Sequence, residues 1–144
     1  MIDRRFSPQP LAGWYTIGAI ASLLITIAAC AMYGFHVATN PQSLPVDQRT
    51  VFEAEPLWVT SAFGLGALAG LAGSAMLVLR RRLAQPLTLI SLVAMLAWLA
   101  GLLLAPGLRD LVTTNDIALG VIVAAISWTI FWFARHSNQR GWLR

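Results

Sequence analysis

Residues 56–108 read PLWVTSAFGLGALAGLAGSAMLVLRRRLAQPLTLISLVAMLAWLAGLLLAPGL, and this stretch decides the fold. It contains two charge-free apolar segments, 56–79 and 83–108, which are separated only by Arg80-Arg81-Arg82. A helix needs roughly 20 mainly apolar residues to cross the hydrocarbon core of a bilayer. Both segments are long enough, and so short a connection allows only a tight turn. The stretch therefore predicts two antiparallel, neighbouring transmembrane helices.

Two further apolar segments lie on either side of this stretch, and a buried helix of a soluble protein seldom stays so apolar all round. We predict an all-α polytopic membrane protein, a four-transmembrane-helix bundle that forms one domain over residues 1–144. The predicted helices and the long outer loop cover about residues 11–35, 36–55 (the loop), 56–79, 84–106 and 117–135.

The composition excludes several other classes of protein. Of 144 residues, 58% are hydrophobic and only 11% are charged, whereas about 25% of a soluble domain is charged. This shortage of charge excludes an ordinary cytosolic enzyme, a disordered tail and a coiled coil. The single cysteine excludes a disulfide framework and a cysteine-rich zinc module.

The distribution of arginine predicts the orientation. All ten basic residues are arginine, and eight of them fall on one side of a four-span topology: Arg4, Arg5, Arg80, Arg81, Arg82, Arg135, Arg140 and Arg144. The other side has Arg49 and Arg109 together with five of the six acidic residues, Asp3 being the exception. Because cytoplasmic loops collect Lys and Arg, we expect both termini in the cytoplasm. The net charge of +4 then reflects contact with anionic lipid headgroups, not with nucleic acid.

The outer loop contains a candidate surface helix. Pro45 precedes the breaker-free run 46–54, and proline favours the start of a helix. We expect this short interfacial helix to lie on the membrane, with Leu44, Val51 and Phe52 towards the lipid.

Aromatic residues fall into two predicted groups. Those near the ends of the spans, among them Trp14, Tyr15 and Trp142, are expected at the headgroup level. Trp98 and Trp128 fall deeper in their spans and are expected to pack between helices.

The first span has an alternative interpretation. Ile27-Ala28-Ala29-Cys30 resembles a bacterial lipoprotein cleavage site, and processing there would leave Cys30 as a lipidated N-terminus. The apolar run continues beyond Cys30 to Phe35, and three more spans follow, so an uncleaved helix is the preferred interpretation.

Charge is absent from the interiors of the four segments, which contain no Asp, Glu, Lys, Arg or His. Intramembrane charges usually mark ion pathways and proton relays. The pattern argues against proton-coupled transport, a voltage sensor and acid–base catalysis, and we expect no enzyme, no cofactor and no metal site. His36 and His136 are predicted at opposite faces. The loop residues Asp47, Glu53 and Glu55 could bind a cation, although a solvated acidic loop is the preferred interpretation.

Small residues recur every four positions in the first two spans. The first span has Gly18, Ser22, Thr26 and Cys30, and the second has Ala62, Gly66, Gly70 and Ser74. Such spacing lets helix backbones approach closely. The preferred interpretation is packing of the first span against the second, and the alternative is that one stripe docks a partner subunit or lines a narrow polar crevice.

Four short motifs carry a resemblance: Glu55-Pro56-Leu57-Trp58, Leu79-Arg80-Arg81-Arg82, Ala84-Gln85-Pro86-Leu87 running into Ser91-Leu92, and Arg140-Gly141-Trp142-Leu143. With them the chain resembles a group of small proteobacterial four-helix inner-membrane proteins. Members are often labelled hypothetical membrane proteins and sometimes sugar transporters, which implies no particular site residues. The first span departs from the group in ending with Tyr33-Gly34. Sugar sites usually need amide or acidic hydrogen-bonding groups, and the spans contain no Asn and only Gln85.

Two functional hypotheses follow from these patterns. The first is a non-enzymatic membrane protein that acts through helix–helix or lipid contacts, as an accessory or scaffold subunit of a homo-oligomer or a larger membrane complex. The alternative is a small-solute, sugar-like transporter that works as an oligomer, because four helices alone enclose little space.

Overall fold

The computed structural model of the protein describes residues 10–144, and within that range the chain is all helical. Arg4, Arg5 and Asp3, which contribute to the predicted orientation, lie outside the described residues. The elements in chain order are α1 (Gly13–Ala38), a 3-10 turn (Pro41–Ser43), α2 (Val46–Ala54), α3 (Leu57–Val78), α4 (Ala84–Leu104) and α5 (Thr114–Gln139). The helices α1, α3, α4 and α5 are long and apolar enough to cross a membrane, as the sequence predicts.

The helix boundaries differ from the predicted ones for local reasons. Helix α4 ends at Leu104 because Ala105, which precedes Pro106, adopts an extended conformation. Helix α5 begins three residues earlier than predicted because Thr113 and Asp116 form a capping box. The Thr113 N–H donates to Asp116 Oδ2 at 2.9 Å, and the Asp116 N–H donates to Thr113 Oγ1 at 3.4 Å.

Helix α3 occupies the middle of the bundle. It packs against both α1 and α4, and α4 in turn packs against α5. The predicted antiparallel pair of neighbours is therefore confirmed. The contact between α3 and α4 is close: a methyl group added to Gly73 would lie 3.1 Å from the Thr88 backbone nitrogen. A hydrogen bond links the same two helices, from Ser91 Oγ to the Gly66 carbonyl oxygen at 2.7 Å.

The C-terminal tail closes one end of the bundle. After α5 the chain reverses at Gly141, whose φ is 71°, and the turn after α3 reverses at Arg80, whose φ is 57°. The two segments then pair, because the Arg144 N–H donates to the Arg80 carbonyl at 2.6 Å and the Arg82 N–H donates to the Arg144 carbonyl at 3.1 Å. We call this end, residues 80–82 and 140–144, the arginine end, and the opposite end, α2 and residues 105–113, the loop end.

An aromatic cluster fills the arginine end. Trp142 and Tyr15 are only 3% and 2% exposed, and the Tyr15 hydroxyl donates to the Leu77 carbonyl at 2.6 Å. The ring of Phe133 lies 5.4 Å from that of Tyr15. Both Trp142 and Tyr15 are thus buried in the protein, whereas the sequence predicts that they lie at the headgroup level. The reverse holds for Trp128, which is predicted to pack between helices and is 58% exposed.

Helix α2 forms where the sequence predicts a short helix. Val51 packs against the end of α4, beside Leu102 and Leu108, and the ring of Phe52 lies 4.8 Å from that of His36. These contacts hold α2 over the loop end of the bundle, so Val51 and Phe52 face the protein and the prediction that they face the lipid is wrong.

Replacing Trp142 by Ala should destabilise the bundle strongly, because the tail is anchored by this buried ring. We expect the free energy of unfolding to fall by about 3–5 kcal/mol, as for other buried aromatic residues cut back to Ala. The measurement is a reversible unfolding titration in mixed detergent micelles, followed by circular dichroism.

Trp128→Ala is the matched control, because Trp128 faces outwards. It should change the free energy of unfolding by less than about 0.5 kcal/mol. Equal effects of the two substitutions would show that the tail does not pack into the bundle.

Candidate functional site: the cleft between α1 and α5

A cleft runs between α1 and α5, the first and last of the four long helices. Its middle part is a cavity of about 240 Å³. All four long helices contribute to its wall, with Thr26 and Met32 from α1, Gly66 from α3, Ser91 from α4 and Ser127 from α5. The cavity therefore lies among the four long helices, on the side where α1 faces α5.

The cleft continues in both directions from this middle cavity. Towards the arginine end it joins a cavity of about 400 Å³ through the shared residues Ile25, Ile126 and Ile130. Towards the loop end it joins a cavity of about 270 Å³ through Ala29 and Val123. The three cavities thus adjoin one another along α1 and α5.

The hydroxyl groups that line the middle cavity all donate their protons to backbone carbonyls. The bonds are Thr26 to Ser22 (2.9 Å), Thr88 to Ala84 (2.8 Å), Ser91 to Gly66 (2.7 Å) and Ser127 to Val123 (2.9 Å). A hydroxyl has only one proton to donate. The wall consequently presents apolar surface and methyl groups to whatever enters, with no hydroxyl donor to spare.

The loop end of the cleft is a polar mouth of about 490 Å³. Its wall includes Asp47, Glu55 and Asp116, together with the imidazole of His36. Glu55 accepts from Thr60 at 3.1 Å and contacts His36 Nε2 at 3.2 Å. No arginine belongs to this wall within the described part of the chain.

The arginine end of the cleft is bounded by rings. Trp14, Trp132 and Phe133 line the last cavity, and the Trp14 and Phe133 rings lie 5.7 Å apart. Beyond them lies the buried cluster that includes Tyr15 and Trp142. The cleft therefore has an acidic mouth at one end and an aromatic floor at the other.

The two predicted stripes of small residues meet inside the protein. A methyl group added to Gly70 would lie 3.3 Å from Thr26 Cγ2, and one added to Gly18 would lie 3.1 Å from the Phe133 ring. Gly66 faces Met95 of α4 in the same way. The structure therefore uses Gly18, Thr26, Gly66 and Gly70 for packing within one chain, while Thr26, Gly66 and Gly70 also line the cleft.

The other stripe residues are placed less centrally. Ser22 is buried and donates to the Gly18 carbonyl at 2.8 Å, while Ala62 and Cys30 are half-buried. Ser74 is fully buried, and its hydroxyl has no hydrogen-bond partner among residues 10–144.

Sequence reasoning missed the residues of α5 that complete the cleft, and it missed Gly73. Gly73 follows Gly66 and Gly70 at helical spacing, so its position on the same face could have been recognised. Val123 and Ile126 could not, because nothing local distinguishes apolar residues of α5 that face a cleft from those that face lipid.

The acidic residues of the loop do not converge. Glu53 pairs with Arg49 at 2.7 Å, and Glu55 contacts His36. Over residues 10–144, no group of three His, Cys, Asp or Glu side chains is placed to hold a metal ion. His36 and His136 lie at opposite ends of the bundle, and His136 stacks on Trp132 with 5.2 Å between ring centroids.

Replacing Gly73 by Ala should force α3 and α4 apart, because the added methyl group meets backbone as well as side chain. We expect a loss of about 1–3 kcal/mol in the free energy of unfolding, the usual effect of overpacking. Gly34→Ala is the control, since a methyl group there has nothing within 4 Å. If Gly73→Ala is tolerated as well as Gly34→Ala, the close approach of the two helices is wrong.

Comparisons with known proteins give no match to this chain. No family model matches it, and neither a curated protein nor a solved structure does. The resemblance to small proteobacterial inner-membrane proteins stays a prediction from short motifs, and function has to be argued from the cleft and the surface of the bundle.

Proposed function

We propose that the protein is a non-catalytic subunit of the bacterial inner membrane, which acts as an accessory or scaffold component through contacts with other helices and with lipid. The arginine end faces the cytoplasm in this proposal, because arginine collects on the cytoplasmic side of membrane proteins. Helix α2 then lies at the opposite membrane surface.

The observation that carries the proposal is the state of the hydroxyl groups in the cleft. Thr26, Thr88, Ser91 and Ser127 give their protons to backbone carbonyls, so the interior offers apolar contact and little else. A polar solute that enters a membrane protein needs hydrogen-bond partners to replace water. Apolar contact is what a lipid chain or a neighbouring helix requires.

The outward face of α1 supports a protein contact. Helix α1 is the least buried of the four long helices, and it packs against α3 along one side. Large apolar side chains such as Leu24 and Phe35, at 61% and 76% exposed, cover its outer surface. Helix α4, by contrast, has a neighbour on each side.

Photocrosslinking in native membranes tests this proposal. A photoreactive residue in place of Leu24 should give a discrete crosslinked protein, either a second copy of this chain or another subunit identified by mass spectrometry. The matched control is the same residue in place of Val93, which is 58% exposed on α4 and should crosslink to lipid. Only lipid adducts at both positions, together with a monodisperse monomer after purification, would contradict an accessory role.

A second candidate function is a transporter for small neutral solutes that works as an oligomer. The observation in its favour is that the cavities connect the polar mouth at the loop end to the centre of the bundle. Two features weigh against a transporter. The cleft hydroxyls already donate their protons to backbone carbonyls, and aromatic rings close the cleft at the arginine end.

Reconstituted vesicles separate the two functions. A transporter should move sugars or other neutral solutes, and Gly66→Leu should abolish that flux because Gly66 lines the middle cavity and a methyl group there already lies 3.0 Å from Met95. Gly13→Leu, which adds its side chain to open space, should retain it. Our proposal predicts no flux above empty vesicles for the unmodified protein.

A further inference from the structure

The middle of the cleft has room for part of a hydrocarbon chain. One water molecule takes up about 30 Å³ of liquid, so a cavity of 240 Å³ holds about eight groups of that size. A transmembrane helix is about 10–12 Å across with its side chains, which is too wide to enter such a space. A linear chain of methylene groups fits both the volume and the apolar wall.

The mouth of the cleft has the opposite character, because its wall is acidic. Asp47, Glu55 and Asp116 come from three different elements, namely α2, the α2–α3 connection and the first turn of α5. The other titratable group of this wall is His36, which already contacts Glu55. Groups arranged in this way attract a cation and repel an anionic headgroup.

A ligand that matches both the apolar middle and the acidic mouth is an amphiphile with a hydrocarbon chain and a cationic group. We propose that the cleft binds one chain of a membrane phospholipid whose headgroup carries an ammonium group, of the phosphatidylethanolamine type. The ammonium group lies in this mouth beside Asp47, because the Glu55 carboxylate already contacts His36 and accepts from Thr60, and the Asp116 carboxylate caps α5. The amide of Gln48 in the same wall can donate to the phosphate. The chain passes Ala29 and Val123 and extends towards Ile126. This inference rests on the proposed function, because it names the lipid that the protein contacts.

Titration followed by native mass spectrometry tests the binding. The purified protein in detergent is mixed with phosphatidylethanolamine or with phosphatidylglycerol of the same chains. We expect a saturable 1:1 adduct that forms about fivefold more tightly with the ammonium headgroup, the ratio for ~1 kcal/mol of one partly exposed ion pair. No saturable adduct, or a preference for the anionic headgroup, would overturn the proposal.

Two substitutions in α1 test where the chain lies. Ala29 lines both the middle cavity and the next one, so Ala29→Phe should fill the cleft and weaken binding of both lipids at least about tenfold, which is ~1.4 kcal/mol. Ala31→Phe adds the same ring to an exposed position of α1 that lines none of these cavities and should bind as the unmodified protein does. Equal binding by both variants would overturn the placement.

Two substitutions of acidic residues test the headgroup. Asp47→Asn should remove most of the fivefold preference for the ammonium headgroup while leaving phosphatidylglycerol binding unchanged or stronger. Asp110→Asn makes the same change at an exposed aspartate outside the mouth and should keep the preference. A preference that survives Asp47→Asn would contradict recognition of the headgroup at this mouth.

The outcomes also separate this inference from the proposed function. Loss of the lipid preference with a retained protein crosslink at Leu24 would remove the lipid and leave the accessory role. Specific lipid binding without any protein crosslink would remove the accessory role and leave the lipid site.

Discussion

Polar groups inside hydrocarbon have no water to bind, so each has to find its partner within the protein. In this chain the hydroxyls that face the middle of the bundle meet that requirement by donating to carbonyl oxygens, three of them within their own helix and Ser91 across to α3. The same bonds that satisfy the hydroxyls leave them no proton to donate to a molecule in the cleft. The apolar character of the cleft is therefore a consequence of the rule that allows the helices to span a membrane.

The position of the cleft follows from which helices pack closely against each other. Glycines on α3 let α4 approach so closely that Gly73 faces the backbone of Thr88, and Gly70 receives Thr26 of α1. Helix α3 packs against α1 and α4, and α5 packs chiefly against α4, which leaves a cleft between α1 and α5 along part of their length. At the arginine end they meet through rings such as Trp14 and Phe133, and Ala19 of α1 shares a buried cluster with Ala134 of α5.

The sequence was sufficient for features that depend on local pattern. Charge-free length predicts the four long helices, Arg80-Arg81-Arg82 predicts the antiparallel pair, and Pro45 predicts the helix that follows it. The sequence could not predict the burial of Trp142, because a basic tail with an aromatic residue is equally typical of a headgroup anchor. The left-handed Arg80 has no local signal either, since glycine usually takes that position. The cleft depends on which apolar residues of α5 face inwards, and only tertiary packing decides that.

Whether a lipid chain occupies the cleft can be measured through Trp98, which lines its outer half beside Phe63. Replacing Trp14, Trp58, Trp128 and Trp132 by Phe leaves Trp98 and the buried Trp142 as the only indoles. In bilayers of lipids brominated on their chains, we expect strong quenching of Trp98 fluorescence, and Ala29→Phe in the same background should largely remove it. Quenching that is absent, or that Ala29→Phe leaves unchanged, would contradict a lipid-filled cleft between α1 and α5.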